Sequence, residues 1–295
     1  METPFFPVEV VPQAATAAPG GSLTVRILRV GVGEGVEETD RVTVEAPLEF
    51  QLHHPALGGE AVSFGATMRT PGDDEALAAG LLFGEGIISR FSDIEAIESS
   101  TRRPNVVNVR LQASVPIELQ ATRRFSAGSS CGVCGTTGLD AAIARAALAR
   151  VGGADTIALP VLLGLPARMR DAQSKFDNTG GIHAAALFDF HGGLLAIAED
   201  VGRHNALDKL VGERLITGEL PLTDRIVLLS GRASFELVQK ALRAGVSVLA
   251  AIGAPSSLAV NLAETAGLTL VGFLRGAHCN VYAHGRRLSA LSKRD

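Results

Sequence analysis

The chain has 295 residues, 46% of them hydrophobic, and a formal charge of −4 from 27 Lys and Arg against 31 Asp and Glu. That length and apolar content exclude a disordered chain and allow two domains with a packed core. The weak acidity excludes nucleic acid and anionic membrane as main partners. The opening METPFFPVEV has no basic region and no long apolar run. DTIALPVLLGLPA and VSVLAAIGAP are interrupted by Pro or Gly too early to span a bilayer, so a cytoplasmic protein without a membrane segment is expected.

Residues 1–21, rich in Pro and Ala and ending in Pro19-Gly20-Gly21, read as a loose tail. LTVRILRV follows as a strand. Gly31, Gly33 and Gly35 do not match the G-x-G-x-x-G spacing and mark a hairpin turn instead. In VTVEAPLEFQL, Val42, Val44, Ala46, Leu48, Phe50 and Leu52 alternate with polar positions, the period of one half-buried strand, with Pro47 marking an edge or an irregularity. VSFGATMRT is a strand. TPGDDEALAAGLLFGEGII is a helix with Asp73, Asp74 and Glu75 in its first turn, where the dipole favours them. NVVNVRLQ closes a small α+β domain over 22–122. Residues 123–138, RRFSAGSSCGVCGTTG, have no apolar period and read as a mobile loop.

The remainder, 139–295, alternates. A helix at LDAAIARAALARVGG and one over about 160–176 precede strands IHAAALF and LLAIAED. Helix NALDKLVGERL, strand RIVLLS, helix ASFELVQKALRAG, strand VSVLAAIG, helix SSLAVNLAETAG and strands LTLVGFL and CNVYAHG complete it. This order predicts an α/β fold with a largely parallel sheet covered on both faces. In such a sheet ligands bind beyond the carboxyl ends of the strands. Four loops fall there: 199–205 (EDVGRHN), 230–232 (SGR), 253–257 (GAPSS) and 274–278 (LRGAH). The first three run into helices whose free N–H groups suit phosphate. Arg203, Arg232 and Arg275 add fork-shaped donors. One such loop is ordinary turn chemistry; several on one rim point to an anionic ligand.

Cys131 and Cys134 sit in SSCGVCG, and Cys279 lies far off in sequence. Three chemistries fit the pair. A structural zinc needs four ligands, and here there is one pair, with Cys279, His183, His204 and His278 all remote in sequence. A redox pair of the thioredoxin kind would stand at a helix start just after a strand, whereas Cys131 follows a Gly/Ser loop. A sulfur relay needs an accessible thiolate on a loop with reach, which Gly128, Gly132 and Gly135 supply. The residues alone do not rank the relay above redox cycling.

SSCGVCG, DNTGGIHAAAL, EDVGRHNALDKLVG, SGRASFELVQKALRAG and GAPSSLAVNLAETAGLTLVGFLRG occur in consistent order over about residues 40–290, and together they resemble the FdhD family of formate dehydrogenase accessory sulfurtransferases. The resemblance implies a sulfur carrier. It would take a persulfide on Cys131 from a cysteine desulfurase and pass sulfur to the molybdenum cofactor, in its bis molybdopterin guanine dinucleotide form, for insertion into formate dehydrogenase. It implies a cofactor-binding segment at Phe273, Leu274, Arg275, Gly276, Ala277 and His278, a site that a guanine nucleotide also occupies. It further implies a C-terminal three-layer α/β/α domain of cytidine-deaminase type and a homodimer. Deaminase chemistry itself is not expected, because His183 is followed by Ala184 and Ala185, leaving no H-x-E glutamate. The alternatives are a cofactor-binding chaperone with regulatory cysteines and a thiol oxidoreductase.

On this reading Cys131 and Cys134 are the reactive pair, Cys134 assisting. The rim residues are Arg203, His204, Ser230, Gly231 and Arg232 with the 273–278 segment, and no metal ligand is assigned. His204, four residues from both Asp200 and Asp208, is expected either to be oriented by them or to sit beside a capping network around Asp200. His183 faces the rim or is a hydrogen-bonded sheet histidine. His53 and His54 belong to a turn before Pro55, and Cys279 is a small core residue.

Overall fold

The structure, a computed structural model, describes residues 21–31, 35–58, 60–100, 103, 105–116 and 156–289. The Cys131/Cys134 loop, the helix expected over 139–152 and the tail lie outside these residues. Strands β1 (Ser22–Arg29) and β2 (Val36–Thr43) form an antiparallel hairpin in register from Ser22 opposite Thr43 to Arg29 opposite Val36. This is the hairpin expected from the glycines.

The single strand expected over 42–52 is divided. Val42 belongs to β2 and is exposed, while β3 (Ala46–His53) buries Leu48, Phe50 and Leu52. β3 pairs with β4 (Val62–Arg69) and, in parallel, with β6 (Val106–Leu111), so it is an interior strand. Pro47 is tolerated because pairing with β6 begins only at Glu49, leaving that side of Pro47 without a partner strand. β5 (Ile94–Ser99), absent from the expectation, completes a four-stranded sheet in the order β4-β3-β6-β5.

Helix α1 (Asp74–Gly84) lies between this sheet and the rest of the chain. Its Leu77, Leu82 and Phe83 join Phe50, Val107 and Val109 in a core that continues into helix α4 (Arg203–Ile216) through Leu207, Leu210 and Val211. Near the end of α1, Arg243 lies over the Phe83 ring at 5.0 Å and donates to the carbonyl oxygens of Phe83 and Ile88. One apolar core therefore runs across both halves of the described chain.

The second sheet has six strands in the order β12-β11-β10-β9-β7-β8. They are β7 (His183–Asp189), β8 (Leu194–Asp200), β9 (Arg225–Leu229), β10 (Val248–Ala251), β11 (Thr269–Arg275) and β12 (His278–Ala283). The expected largely parallel sheet is corrected to a mixed one. Only β9–β10 and β10–β11 pair in parallel; β7–β8, β7–β9 and β11–β12 are antiparallel. The cause is two tight turns. The one at Asp189–Gly193 is closed by the Asp189 carboxylate, which accepts the His191 and Gly193 N–H groups; the other sits at Gly276-Ala277. Both are too short to cross over a sheet.

Side-chain parity separates two faces. Ala185, Leu187, Val227, Leu229, Leu249 and Ala251 pack in the larger core with α4, α5 (Phe235–Arg243) and α6 (Ser257–Ala266). Ala184, Ala186, Phe188, Ile226, Leu228 and Ala250 pack against Leu162, Leu165 and Met169 of α2 (Leu159–Ala172). A short helix, α3 (Ser174–Thr179), turns from α2 back toward β7. The mixed α/β architecture expected from the sequence is present, with helices on both faces of the second sheet.

Candidate functional site

The strand directions put the expected loops together. β8, β9, β10 and β11 all point the same way, because β7 lies antiparallel to both β8 and β9. Their carboxyl ends, with the amino ends of β7 and β12, form one edge. Backbone hydrogen bonds tie that edge into a continuous rim. Ser230 N donates to Ala184 O at 2.9 Å, Gly253 N to Gly231 O at 2.9 Å, and Phe273 N to Gly253 O at 3.0 Å. Ala233 N and Ser256 N join the second and third loops through Ala254 O and Ala233 O. A Cβ on Gly253 would stand 3.0 Å from Gly231 O, tighter than an ordinary contact, so the glycine eases this close approach.

The 273–278 segment is the end of β11, a two-residue turn and the start of β12, with Arg275 opposite His278. The register slips between Gly272 and Arg275, and Phe273 adopts φ 51°, left-handed and uncommon for an aromatic residue. The bulge breaks strand alternation, so Val271 and Leu274 share one core while Phe273 is turned out, half-buried. Arg275 stands over its ring at 5.6 Å; Arg275, Gly276, Ala277 and His278 are exposed, and Gly276 takes the φ of 59° that the turn requires. Phe273 is therefore a stacking support for Arg275 and not a plain core residue.

At the other end of the rim, Gly231 lies between His183 and Arg203. A Cβ there would meet the His183 ring at 3.4 Å and Arg203 Cδ at 3.9 Å. Arg203 is the first residue of α4, and its buried Nε has no hydrogen-bond partner. His183 Nδ1 is 3.3 Å from Ser230 Oγ, which also accepts the Ala184 N–H at 2.9 Å. Burial holds the His183 pKa below its ordinary value, and the charges of Arg203 and His204 push it the same way. His183 is thus both a hydrogen-bonded sheet histidine and a rim residue. Arg232 is exposed between the β9 and β10 loops. Arg203 follows β8 with its Cδ near Gly231 at the β9 end, and Arg275 ends β11, so the two guanidiniums stem from separate strand ends of one rim and suit an anionic ligand.

Of the two alternatives for His204, the structure shows the network around Asp200 and not orientation of the ring by Asp200 or Asp208. His204 Nε2 faces Glu236 Oε2 at 3.0 Å and Ser234 Oγ at 3.3 Å, both at the start of α5, and not Asp200 or Asp208. Those carboxylates are engaged elsewhere. Asp200 accepts from Thr70 N, Gly202 N and Asn205 Nδ2 and pairs with Lys209 Nζ at 2.9 Å. Lys209 also donates to Thr70 O. Asp208 pairs with Lys240 of α5 at 2.5 Å. Much of EDVGRHNALDK is thus a buried polar clamp joining β4, α4 and α5, with Arg203 and His204 left to the rim.

A cavity of about 490 Å³ adjoins the rim on the α2 side and reaches His183, Val201 and Ser230. Gln173, between α2 and α3, lines it; sequence reasoning missed this residue, and DAQSK offers no signal for it. Ser234 and Glu236 were missed as well, although a Ser before a helix with an acidic first turn was a readable cue. Cys279 is part-buried against the α2-side core, and burial raises its thiol pKa. Among the described residues there is no group of three or more His, Cys, Asp or Glu that could hold a metal, and no helix long and apolar enough to cross a membrane.

Residues 44–289 match the model of the FdhD/NarQ family. A sulfur carrier protein FdhD of Streptomyces avermitilis is 46% identical over 274 residues, covering 90% of this chain and 94% of that one. Its counterpart of the same name in Mycobacterium tuberculosis is 42% identical over 275 residues, covering 90% and 97%. One in Saccharolobus solfataricus is 40% identical over 263 residues, covering 89% and 96%. A crystal structure described as a formate dehydrogenase accessory protein, from Desulfotalea psychrophila, superposes with a TM-score of 0.68 over 90% of this chain and 99% of that one; at 23% identity it shares the fold. With the family model spanning from β3 to the end of the described chain, this protein belongs to the FdhD/NarQ family.

Proposed function

We propose that this chain is a sulfur carrier for the maturation of a formate dehydrogenase. The observation that carries the reading is the match over nearly the whole chain to proteins named sulfur carrier protein FdhD, with Cys131 and Cys134 inside the matched segment. In this reading the Cys131 thiolate attacks the terminal sulfur of a desulfurase persulfide. A new S–S bond forms, the old one breaks, and the desulfurase thiolate leaves. Cys134 can then attack Cys131 Sγ and expel hydrosulfide. The two thiols are oxidised to a disulfide and supply the two electrons that turn sulfane sulfur into sulfide. The recipient is the molybdenum cofactor as cargo, in its bis molybdopterin guanine dinucleotide form, lying along the rim. Phe273–His278 and Arg203, His204, Ser230, Gly231 and Arg232 hold its phosphates. The placement of Arg203 and Arg275 at separate strand ends of one rim supports an anionic ligand of this kind.

The reading includes a cytoplasmic homodimer and a cytidine-deaminase-like layering of the C-terminal half. Intact-protein mass after incubation with a cysteine desulfurase and cysteine tests it. A dithiothreitol-sensitive gain of ~32 Da, lost in Cys131→Ala, is expected. No gain, or a gain unchanged in Cys131→Ala, rules out Cys131 as carrier.

A further inference from the structure

At the Arg203 end of the rim, one imidazole joins two helices. His204 is the second residue of α4, and its Nε2 lies 3.0 Å from Glu236 Oε2 and 3.3 Å from Ser234 Oγ. Ser234 is the N-cap of α5, yet its side chain makes no capping bond; its Oγ serves the ring instead. An ionised carboxylate only accepts hydrogen bonds, so Nε2 carries the hydrogen and Glu236 fixes that tautomer. Nδ1, on the other side of the ring, has no partner among the described residues and is left to the rim.

The charges around this ring oppose one another. Arg203 precedes it on α4, the positive end of that helix lies beside it, and His183 of β7 is near enough for the two rings to repel when charged. Arg232 stands exposed in the loop before α5. Against these stand Glu236, Asp208 one turn further along α4, and Asp200 at the end of β8. Lys240 already pairs with Asp208 and Lys209 with Asp200, while Glu85 at the end of α1 adds its charge to the Asp208 and Glu236 group. Glu236 is therefore the carboxylate that bonds the ring directly. An acidic side chain so close to a phosphate rim would repel the ligand unless its charge served the ring between them.

We propose that Glu236 is a positioning residue for His204, and that capture of a phosphate by the rim carries a proton onto Nδ1 of this ring. The inference rests on the sulfur-carrier reading only in taking the rim as a phosphate site. Without the anion, Arg203 and the helix end oppose a second ring proton. A phosphate beside Arg203 brings negative charge to the open side of the ring, and Glu236 balances the ring from the other side. Nδ1 then takes H⁺ from solvent, no bond of the ligand breaks, and the new Nδ1–H is a charge-assisted donor to the phosphate. Glu236 does not touch the ligand; it acts through His204.

The test counts protons. The full chain is titrated calorimetrically with GDP at pH 8, in buffers of low and high ionisation enthalpy. At that pH a terminal phosphate is already a dianion and an ordinary imidazole is neutral. The wild-type chain is expected to take up about 0.3 proton or more per GDP bound. Glu236→Gln keeps an acceptor for Nε2–H but removes the charge. It should bring the uptake close to zero and weaken GDP binding about fivefold or more, as should His204→Gln. Ring ¹⁵N shifts of the wild-type chain read the same event without a variant: an Nε2–H tautomer at His204 that turns to imidazolium when GDP is added. GDP binding without proton uptake overturns the proposal and leaves the rim intact. Uptake that survives in Glu236→Gln, or an imidazolium that forms on His183 instead, overturns it as well. No binding of GDP removes the rim as a phosphate site and the proposal with it. Sulfur loading of Cys131, measured in parallel, reports on the carrier role separately.

Discussion

Gly80 of α1 and Gly212 of α4 let the two helices touch backbone to backbone. A Cβ on Gly80 would lie 1.8 Å from Asp208 O, and one on Gly212 1.8 Å from Ala76 O. This contact joins the four-stranded sheet and α1 to the second sheet, and it sets the position of Asp208 and Lys209 on the same helix. Overpacking a core by even one methyl commonly costs about 1–3 kcal/mol, and more where backbone must move. Gly212→Ala is therefore expected to destabilise the chain by about 3 kcal/mol or more in urea unfolding. A loss below about 1 kcal/mol would mean the helices can slide apart, and that the close contact does not fix the two halves.

The Asp200–Lys209 pair is buried to 0% and 1% exposure at 2.9 Å. Removing one partner of such a pair strands a charge, at a cost of about 3–5 kcal/mol. Lys209→Met should show a loss of that size in urea unfolding and release the turn around Thr70, whose carbonyl the lysine also holds. Amide hydrogen exchange at Thr70 and Val201 should quicken. Protection there that matches the wild-type chain would show that the clamp is dispensable for this junction.

Much of this was legible from residue order. The continuous apolar runs of β9, β10 and β11 announced buried strands, and the four strand-end loops fell on one rim because β8 through β11 share a direction. The direction of β7 was misjudged, although His191-Gly192-Gly193 was a turn cue pointing to a hairpin. β5 escaped because Ile94 and Ile97 stand three apart between acidic residues, without a period of two. The polar residues of EDVGRHNALDK look alike on paper. Only packing separates Asp200, Asp208 and Lys209, which are buried in ion pairs, from Arg203 and His204 at the rim. Gln173 was beyond reach, since what marks it is the lack of a partner in three dimensions.

The spacing of Arg203 and Arg275 makes a further prediction. Charge-assisted hydrogen bonds contribute about 1.5–3 kcal/mol each, so Arg203→Ala and Arg275→Ala should each weaken GDP binding about tenfold or more. Groups that share no partner and do not touch add within about 0.5 kcal/mol. The double variant should therefore show the product of the two single effects by calorimetry. Strong non-additivity would place both guanidiniums on one phosphate and contradict the extended rim.

His183 sets a pH dependence whose sign follows from its surroundings. Burial first, then the neighbouring charges of Arg203 and His204, holds its folded pKa below the ordinary 6.5, while Asp200 opposes this weakly. In the unfolded chain the ring takes its proton near 6.5; in the folded chain it does so only at lower pH. Between 6.5 and that lower value the unfolded state binds more protons, so stability falls as pH falls through this window and is flat above it. His183→Gln should remove this part of the acid loss, so its melting temperature drops less than the wild type's between pH 7 and pH 5. Arg203→Ala should move the ring's NMR titration midpoint upward, because a repelling charge has gone. A wild-type midpoint at or above 6.5 would mean that the ring is solvated and free of Arg203, and the rim as described would then lose its neutral histidine.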